Sequence, residues 1–206
     1  MNGDIYMSQL MPGFDDPELG SQQTFRAIVK ALDNPGRLVQ IRSKLSAPED
    51  LNPASAAIFL TLSHDKTTVW ADLDWSYPIV EWFQFRCGCS IVTEPCMASL
   101  ALITNPVTMP PLDQFKMGDE ENPDTAATLI VQVGEMPANT VWNSIRSAVR
   151  QMTTRSLMGI PANFWDHWLQ QSERFPLSVD IFLTCDDVLA ALPHSSGQVV
   201  KNLPDL

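Results

Sequence analysis

The chain has 206 residues, of which 45% are hydrophobic and 18% charged, and carries a formal net charge of −11. That length supports one sizeable core, read as a single domain over residues 1–206, while the negative balance argues against a nucleic-acid groove or an anionic membrane as main partner. The charged share falls below the roughly 25% usual for soluble domains, which points to surface covered by a partner.

The first element is a helix with Phe25, Ile28, Val29 and Leu32 at i, i+3, i+4 and i+7, and with Ser21 as its expected N-cap. It must stop near Asn34, because Pro35 disfavours helical geometry in the residue before it. Gly36 then permits a turn, and alternation in Arg37–Ile41 predicts a strand. Ser46–Asp50 reads as a loop. Asn52 is placed to cap a second helix with Pro53 at its first position, running through Ala56, Ala57, Phe59, Leu60 and Leu62. After the polar break His64-Asp65-Lys66, the β-branched and aromatic residues of Thr67–Asp72 predict a strand.

Pro78–Phe85 reads as a helix, and Ser90–Thr93 and Ala98–Ile103 as strands. A short helix is expected around Leu112–Met117, followed by a mobile acidic loop at Asp119-Glu120-Glu121. Thr128–Val133 suits a buried strand. Val141–Val149 fits either strand or helix. Phe164–Gln171 reads as a helix with Asn163 as its cap. Val179–Cys185 and Val188–Leu192 flank Asp186-Asp187 and predict a β-hairpin. The tail after Pro193 is expected to be loose. Strands alternate with helices early and end antiparallel, so the fold class is α/β with a mixed sheet.

No catalytic constellation emerges. Cys87-Gly88-Cys89 with Cys96 lacks the second pair that a zinc site needs, so these thiols read as buried structural residues and no metal is expected. Four cysteines are too few for a disulfide scaffold, and reduced thiols with a cytoplasmic location are expected. His64, His167 and His194 each sit beside Asp65, Asp166 or Ser195, yet no G-x-S-x-G elbow supports a triad. They read as loop or helix-face residues. No glycine-rich phosphate loop is present. The pairs Asp15-Asp16 and Asp186-Asp187 fall where turns are expected. Trp142, Trp165, Trp168 and Phe164 read as core or protein interface rather than nucleic-acid stacking. No segment approaches the ~20 apolar residues of a membrane span, and Met1–Pro12 does not read as a signal peptide.

Two end segments carry a resemblance. Gln23-Thr24-Phe25-Arg26 opens an apolar helix closed by Pro35-Gly36, and Phe175-Pro176-Leu177-Ser178-Val179-Asp180 leads an apolar strand. With Ala56–Trp70 and Ala126–Gly134 between them, they resemble the H subunit family of the bacterial carbon–phosphorus lyase system. Ser144–Val149, Ser178 and His194 depart from the family's pattern.

The resemblance implies cytoplasmic homodimers that assemble with G, I and J subunits. It implies a system that couples an alkylphosphonate to the ribose of ATP with loss of adenine. It also implies a fold similar to the pyridoxal-phosphate-dependent aminotransferases, without the cofactor site, in a subunit with no catalytic site of its own. Arg26 and Asp180 each interrupt an apolar pattern in a signature segment. A charge there must be exposed, paired or hydrogen-bonded, so both are candidate structural or partner contacts; no catalytic residue can be assigned. The competing expectation is a free-standing enzyme or small-molecule binder on the same fold. Pyridoxal phosphate needs a Schiff-base lysine, and Lys30, Lys44, Lys66, Lys116 and Lys201 sit in no recognisable motif, so no cofactor is expected.

Overall fold

The computed structural model describes residues 12–73, 79–119, 121–122, 125–136, 159–172 and 178–193. The expectations for Val141–Val149, Ser144–Val149, Trp142, Phe175-Pro176-Leu177, His194, Lys201 and the tail lie outside them.

Helix α1 spans Pro17–Asp33. It begins four residues before the expected Ser21, because Asp16 is the cap and accepts a hydrogen bond from the Leu19 N–H at 3.1 Å. Pro17 has no N–H to lose at the first helical position. Asn34 closes the helix before Pro35, as predicted. The buried stripe is Gly20, Thr24, Ala27, Ile28 and Ala31. The predicted stripe was rotated: Ile28 is buried, but Phe25 and Val29 are 54% and 39% exposed. Small residues let α1 lie close to the sheet, whereas the larger side chains beside them face out. Gly20 allows a close approach of another kind, since a Cβ there would stand 2.6 Å from the Phe14 ring.

Strand β1 is only Val39–Gln40, shorter than expected. Helix α2, Pro53–Leu62, has Asn52 as cap and Pro53 at its start, as the sequence predicts. Strand β2 is Thr68–Ala71. The next helix is a single turn, α3, at Ile79–Glu81, which passes into a π-helix at Trp82–Arg86. Strands β3 (Ser90–Ile91), β4 (Leu100–Ile103) and β5 (Thr128–Gln132) follow, with 3-10 turns at Pro95–Met97 and Leu112–Gln114 between them. Helix α4 is Ala162–Ser172. It starts one residue before Asn163, which therefore lies inside the helix rather than capping it. Strands β6 (Asp180–Cys185) and β7 (Val188–Leu192) form the predicted hairpin. Asp186 takes φ of 48° at its turn, a conformation that aspartate tolerates better than most residues.

Among the described residues, seven strands lie in the order β1-β7-β6-β5-β4-β2-β3. Strands β3, β2, β4, β5 and β6 are mutually parallel, and β7 runs against both β6 and β1. Side chains alternate between two cores. Leu100, Leu102, Ile130 and Phe182 join the core beneath α1 and α2. Ala101, Ile103, Leu129, Val131, Ile181 and Leu183 join the core beneath α4 with Phe164, Trp165 and Trp168. The tryptophans of α4 are thus core residues, 2% exposed. Burial on both faces explains why β4 and β5 read as unbroken apolar runs rather than alternating ones.

The cap of α2 is also a tie to the sheet. Asn52 Oδ1 accepts from the Ser55 N–H at 2.8 Å, and its Nδ2 donates to Thr184 Oγ1 on β6 at 3.2 Å. Replacing Asn52 with Ala should cost about 1–2 kcal/mol, read as a fall in Tm of roughly 2–8 °C. A change within about 0.5 kcal/mol, the level of an ordinary surface substitution, would show that the cap is redundant.

Candidate functional site

In open α/β sheets ligands bind beyond the carboxyl ends of the parallel strands, at the point where the strand order reverses. Here β3 lies outside β2 and the chain then crosses to β4 on the other side, so the reversal falls between β2 and β4. The residue just past β2 is Asp72. Its Oδ1 accepts from the Thr104 N–H at 2.7 Å and the Thr104 hydroxyl at 2.9 Å, and its Oδ2 accepts from the Asn105 N–H at 2.9 Å. Both oxygens are therefore engaged in stitching the turn after β4. Nothing in the sequence pattern singled out Asp72, because its role depends on a strand pairing 32 residues away.

The same edge is closed at β5 and β6. Gln132, at the end of β5, accepts from the Asn52 N–H at 2.6 Å and donates to the Asp50 carbonyl at 2.9 Å. Thr184 shares a 2.8 Å hydrogen bond with Ser55, and the Asp186 carbonyl accepts from the Ala54 N–H at 2.8 Å. A helix N-terminus offers unpaired N–H groups to an anion. At α2 the Ala54, Ser55 and Ala56 N–H groups are all taken by the chain itself, so this end is sealed.

The sequence-predicted site residues do not come together. Arg26 is exposed on α1 next to Phe25 in sequence, while Asp180 is half-buried at the start of β6, in register with Thr128. His167 is exposed on α4, and His64 is exposed with Nδ1 accepting from the Lys66 N–H at 3.1 Å. Among the described residues, no group of three or more His, Cys, Asp or Glu is arranged to hold a metal ion. Also among them, no helix is long and apolar enough to cross a membrane.

The thiols divide by environment. Cys87 and Cys89 are buried, as expected, whereas Cys96 is exposed and does not belong with them. Cys96 falls in the 3-10 turn Pro95–Met97, too short an element to bury it. Burial pushes the Cys87 thiol well above its ordinary range, with the neighbouring Cys89 adding to the rise. Burial likewise pushes Cys89 up to about 11, against weaker opposing hydrogen bonds. Its Sγ donates to the Phe83 carbonyl at 3.0 Å. Cys185 is also raised, first by burial and then by Asp186 and Glu135. A nucleophile or metal ligand needs the thiolate, which Cys87 and Cys89 withhold at neutral pH.

Among the described residues, open cavities lie near charged or polar side chains. One, of about 320 Å³, lies at the start of α1 among Asp15, Asp16, Gln23, Arg42 and Lys44. Another, of about 360 Å³, lies between the turn Leu112–Gln114 and α4, with Asp113, Gln114, His167, Gln170 and Gln171 around it.

These features define an α/β protein with a doubly covered mixed sheet whose polar groups at the carboxyl edge, among the described residues, are bound up by the chain's own groups. The family model for bacterial phosphonate metabolism protein (PhnH) matches residues 12–198. The chain belongs to the PhnH family. It is similar to the alpha-D-ribose 1-methylphosphonate 5-triphosphate synthase subunit PhnH of Rhizobium meliloti (strain 1021), with 27% identity over 191 residues, covering 92% of this chain and 96% of that protein.

Two outcomes follow. Folded Cys89 keeps its proton up to about pH 11, while the unfolded thiol loses it near 9.0. The unfolded state therefore binds fewer protons across that window, and stability declines as pH rises through it. Cys89→Ala should flatten this decline in denaturant melts taken from neutral to strongly basic pH; equal slopes would assign the decline to other groups. Asp72→Ala should cost roughly 2–4 kcal/mol by orphaning two backbone donors and a hydroxyl. Lost assembly activity at unchanged stability would instead make Asp72 a reacting group.

Proposed function

We propose that this chain is an accessory subunit of the assembly that synthesises alpha-D-ribose 1-methylphosphonate 5-triphosphate in phosphonate breakdown, with no reaction centre of its own. The observation that carries this reading is that, among the described residues, the polar groups at the carboxyl edge are engaged by the chain itself. Asp72, Gln132, Asn52 and Thr184 stand where an α/β enzyme keeps free polar groups, and each is engaged with the chain's own groups. The family membership and the relative's name supply the system in which such a subunit acts.

The proposal includes a homodimer, contacts with G, I and J subunits, a cytoplasmic location and a fold similar to the pyridoxal-phosphate-dependent aminotransferases without the cofactor site. A mixed seven-stranded sheet with one reversed strand supports the fold likeness. The described lysines Lys30, Lys44, Lys66 and Lys116 are all exposed, whereas a Schiff-base lysine is activated by a desolvated pocket or a neighbouring cation. Partner contact is supported at α1, where Phe25 and Val29 present apolar surface with Arg26 between them in sequence. Asp180, half-buried, is proposed as a structural contact that orients the start of β6.

Co-expression with the G, I and J subunits tests the reading. The wild-type chain should co-purify with them; a chain that stays alone in that mixture removes the proposal. Phe25→Asp should abolish co-purification while moving Tm by no more than about 2 °C, as for other exposed substitutions. Arg26→Ala should weaken assembly with Tm unchanged. Full assembly by both variants would move the contact elsewhere on the chain.

A further inference from the structure

Positive charge is unevenly placed in this acidic chain. Five of its 13 lysines and arginines fall between Arg26 and Lys44, where Asp33 is the one acidic residue. The fold gathers four of the five into a strip. On α1, Leu19, Gln23, Arg26 and Lys30 stand at i, i+4, i+7 and i+11, along one face of the helix. After Gly36 the chain doubles back beside α1. The Arg37 N–H donates to the Asn34 carbonyl at 3.1 Å, the Thr24 and Ser43 hydroxyls share a 3.0 Å hydrogen bond, and the Asp15 N–H donates to the Lys44 carbonyl at 3.0 Å. Val39 and Ile41 of this returning segment are buried, whereas Arg42 and Lys44 are exposed. The cavity at the start of α1 shows which helix face they meet: it is lined by Leu19 and Gln23 on one side and by Arg42 and Lys44 on the other. Arg26 and Lys30 continue that same face and are exposed as well. None of the four cations makes an ion pair with a described residue.

A surface of this kind is fitted to opposite charge, and its surroundings select the source. A phosphate chain or a nucleic acid would be drawn against Asp15 and Asp16, which line the same cavity, and against a net charge of −11. A second copy of the chain fits no better. Across a two-fold axis the strip would face itself, and like charges brought together oppose association. Laid instead on an acidic face of the next copy, it would start an open series that does not close. A different polypeptide, with carboxylates spaced around an apolar side chain, meets every feature. Its carboxylates answer the four cations and can avoid Asp15 and Asp16. Its apolar side chain answers Leu19, which is 50% exposed beside an open cavity of about 320 Å³.

We propose that Arg26, Lys30, Arg42 and Lys44 form a basic docking strip for an acidic surface of a different subunit, with an apolar side chain of that subunit seated beside Leu19. This rests on the assembly role proposed above and names the chemistry of the surface that α1 meets.

The test co-expresses the G, I and J subunits with three full-length chains: wild type, Arg42→Glu/Lys44→Glu, and Lys66→Glu/Lys116→Glu. The last makes the same change in net charge at two exposed lysines outside the strip. The Arg42→Glu/Lys44→Glu chain should yield about ten-fold less complex or lower, with Tm moved by no more than about 2 °C, as for other exposed substitutions. The Lys66→Glu/Lys116→Glu chain should assemble as wild type. The association rate of the wild-type chain should fall between roughly 50 and 500 mM salt, and that of the Arg42→Glu/Lys44→Glu chain should change far less. A wild-type chain that stays alone removes the assembly role and the strip together. Undiminished assembly of Arg42→Glu/Lys44→Glu, or an equal loss with Lys66→Glu/Lys116→Glu, overturns the strip and leaves the assembly role standing. The strip is also overturned if inorganic triphosphate raises the Tm of wild type but not of Arg42→Glu/Lys44→Glu, which would make these cations a phosphate site. Loss of self-association in that variant overturns it too, by assigning the strip to a second copy. Should Arg42→Glu/Lys44→Glu not fold, Arg42→Gln/Lys44→Gln decides: weakened, less salt-sensitive assembly supports the strip, and assembly like wild type overturns it.

Discussion

The central strands have no face left for water, and much of the remaining structure follows from that. Strands β4, β5 and β6 send alternate side chains into two separate cores. Every polar atom at their ends must therefore be satisfied at the margins, where the chain leaves the sheet. Helix α2 meets the same demand from the other side. Its residues Ala54 to Phe59 are all buried, so its first N–H groups cannot be left to solvent. The Asn52–Ser55–Thr184–Gln132 network answers both demands at once, joining the helix start to the ends of two strands.

That solution has a functional side. Polar residues at the carboxyl edge of a parallel sheet are the usual raw material of an α/β active site. In this chain they are spent on structure: Asp72 on the turn after β4, Gln132 on the loop before α2, and Thr184 on the α2 cap. The buried thiols are withheld as well, since burial keeps Cys87 and Cys89 protonated at neutral pH. Among the described residues, the unspent features are peripheral: the apolar ridge of α1 and the cavities at the start of α1 and beside α4.

The sequence was legible wherever the signal was local. Asn52-Pro53, Asn34-Pro35 and Asp186-Asp187 each declared a boundary through backbone chemistry that needs no tertiary partner, and the structure places all three as read. The face of α1 was not legible. Phe25 and Val29 fit an apolar period, but the inner face is taken by Thr24, Ala27, Ile28 and Ala31. Sequence periodicity shows that a helix has two faces, and packing decides which is inside. Asp72 was not legible, because it acquires its meaning from a residue brought near by the fold, Thr104 across the strand reversal. Trp165 and Trp168 were read in general terms, as core or interface, and lie in the core.

The sheet's two outermost strands are β1 and β3, each only two residues long. A bare edge strand is a template on which a further strand can add, from a partner or from another copy of the same chain. Two residues offer too few unpaired backbone groups for that kind of growth. Such short edges are a poor template for sheet extension, which growing β-assemblies require.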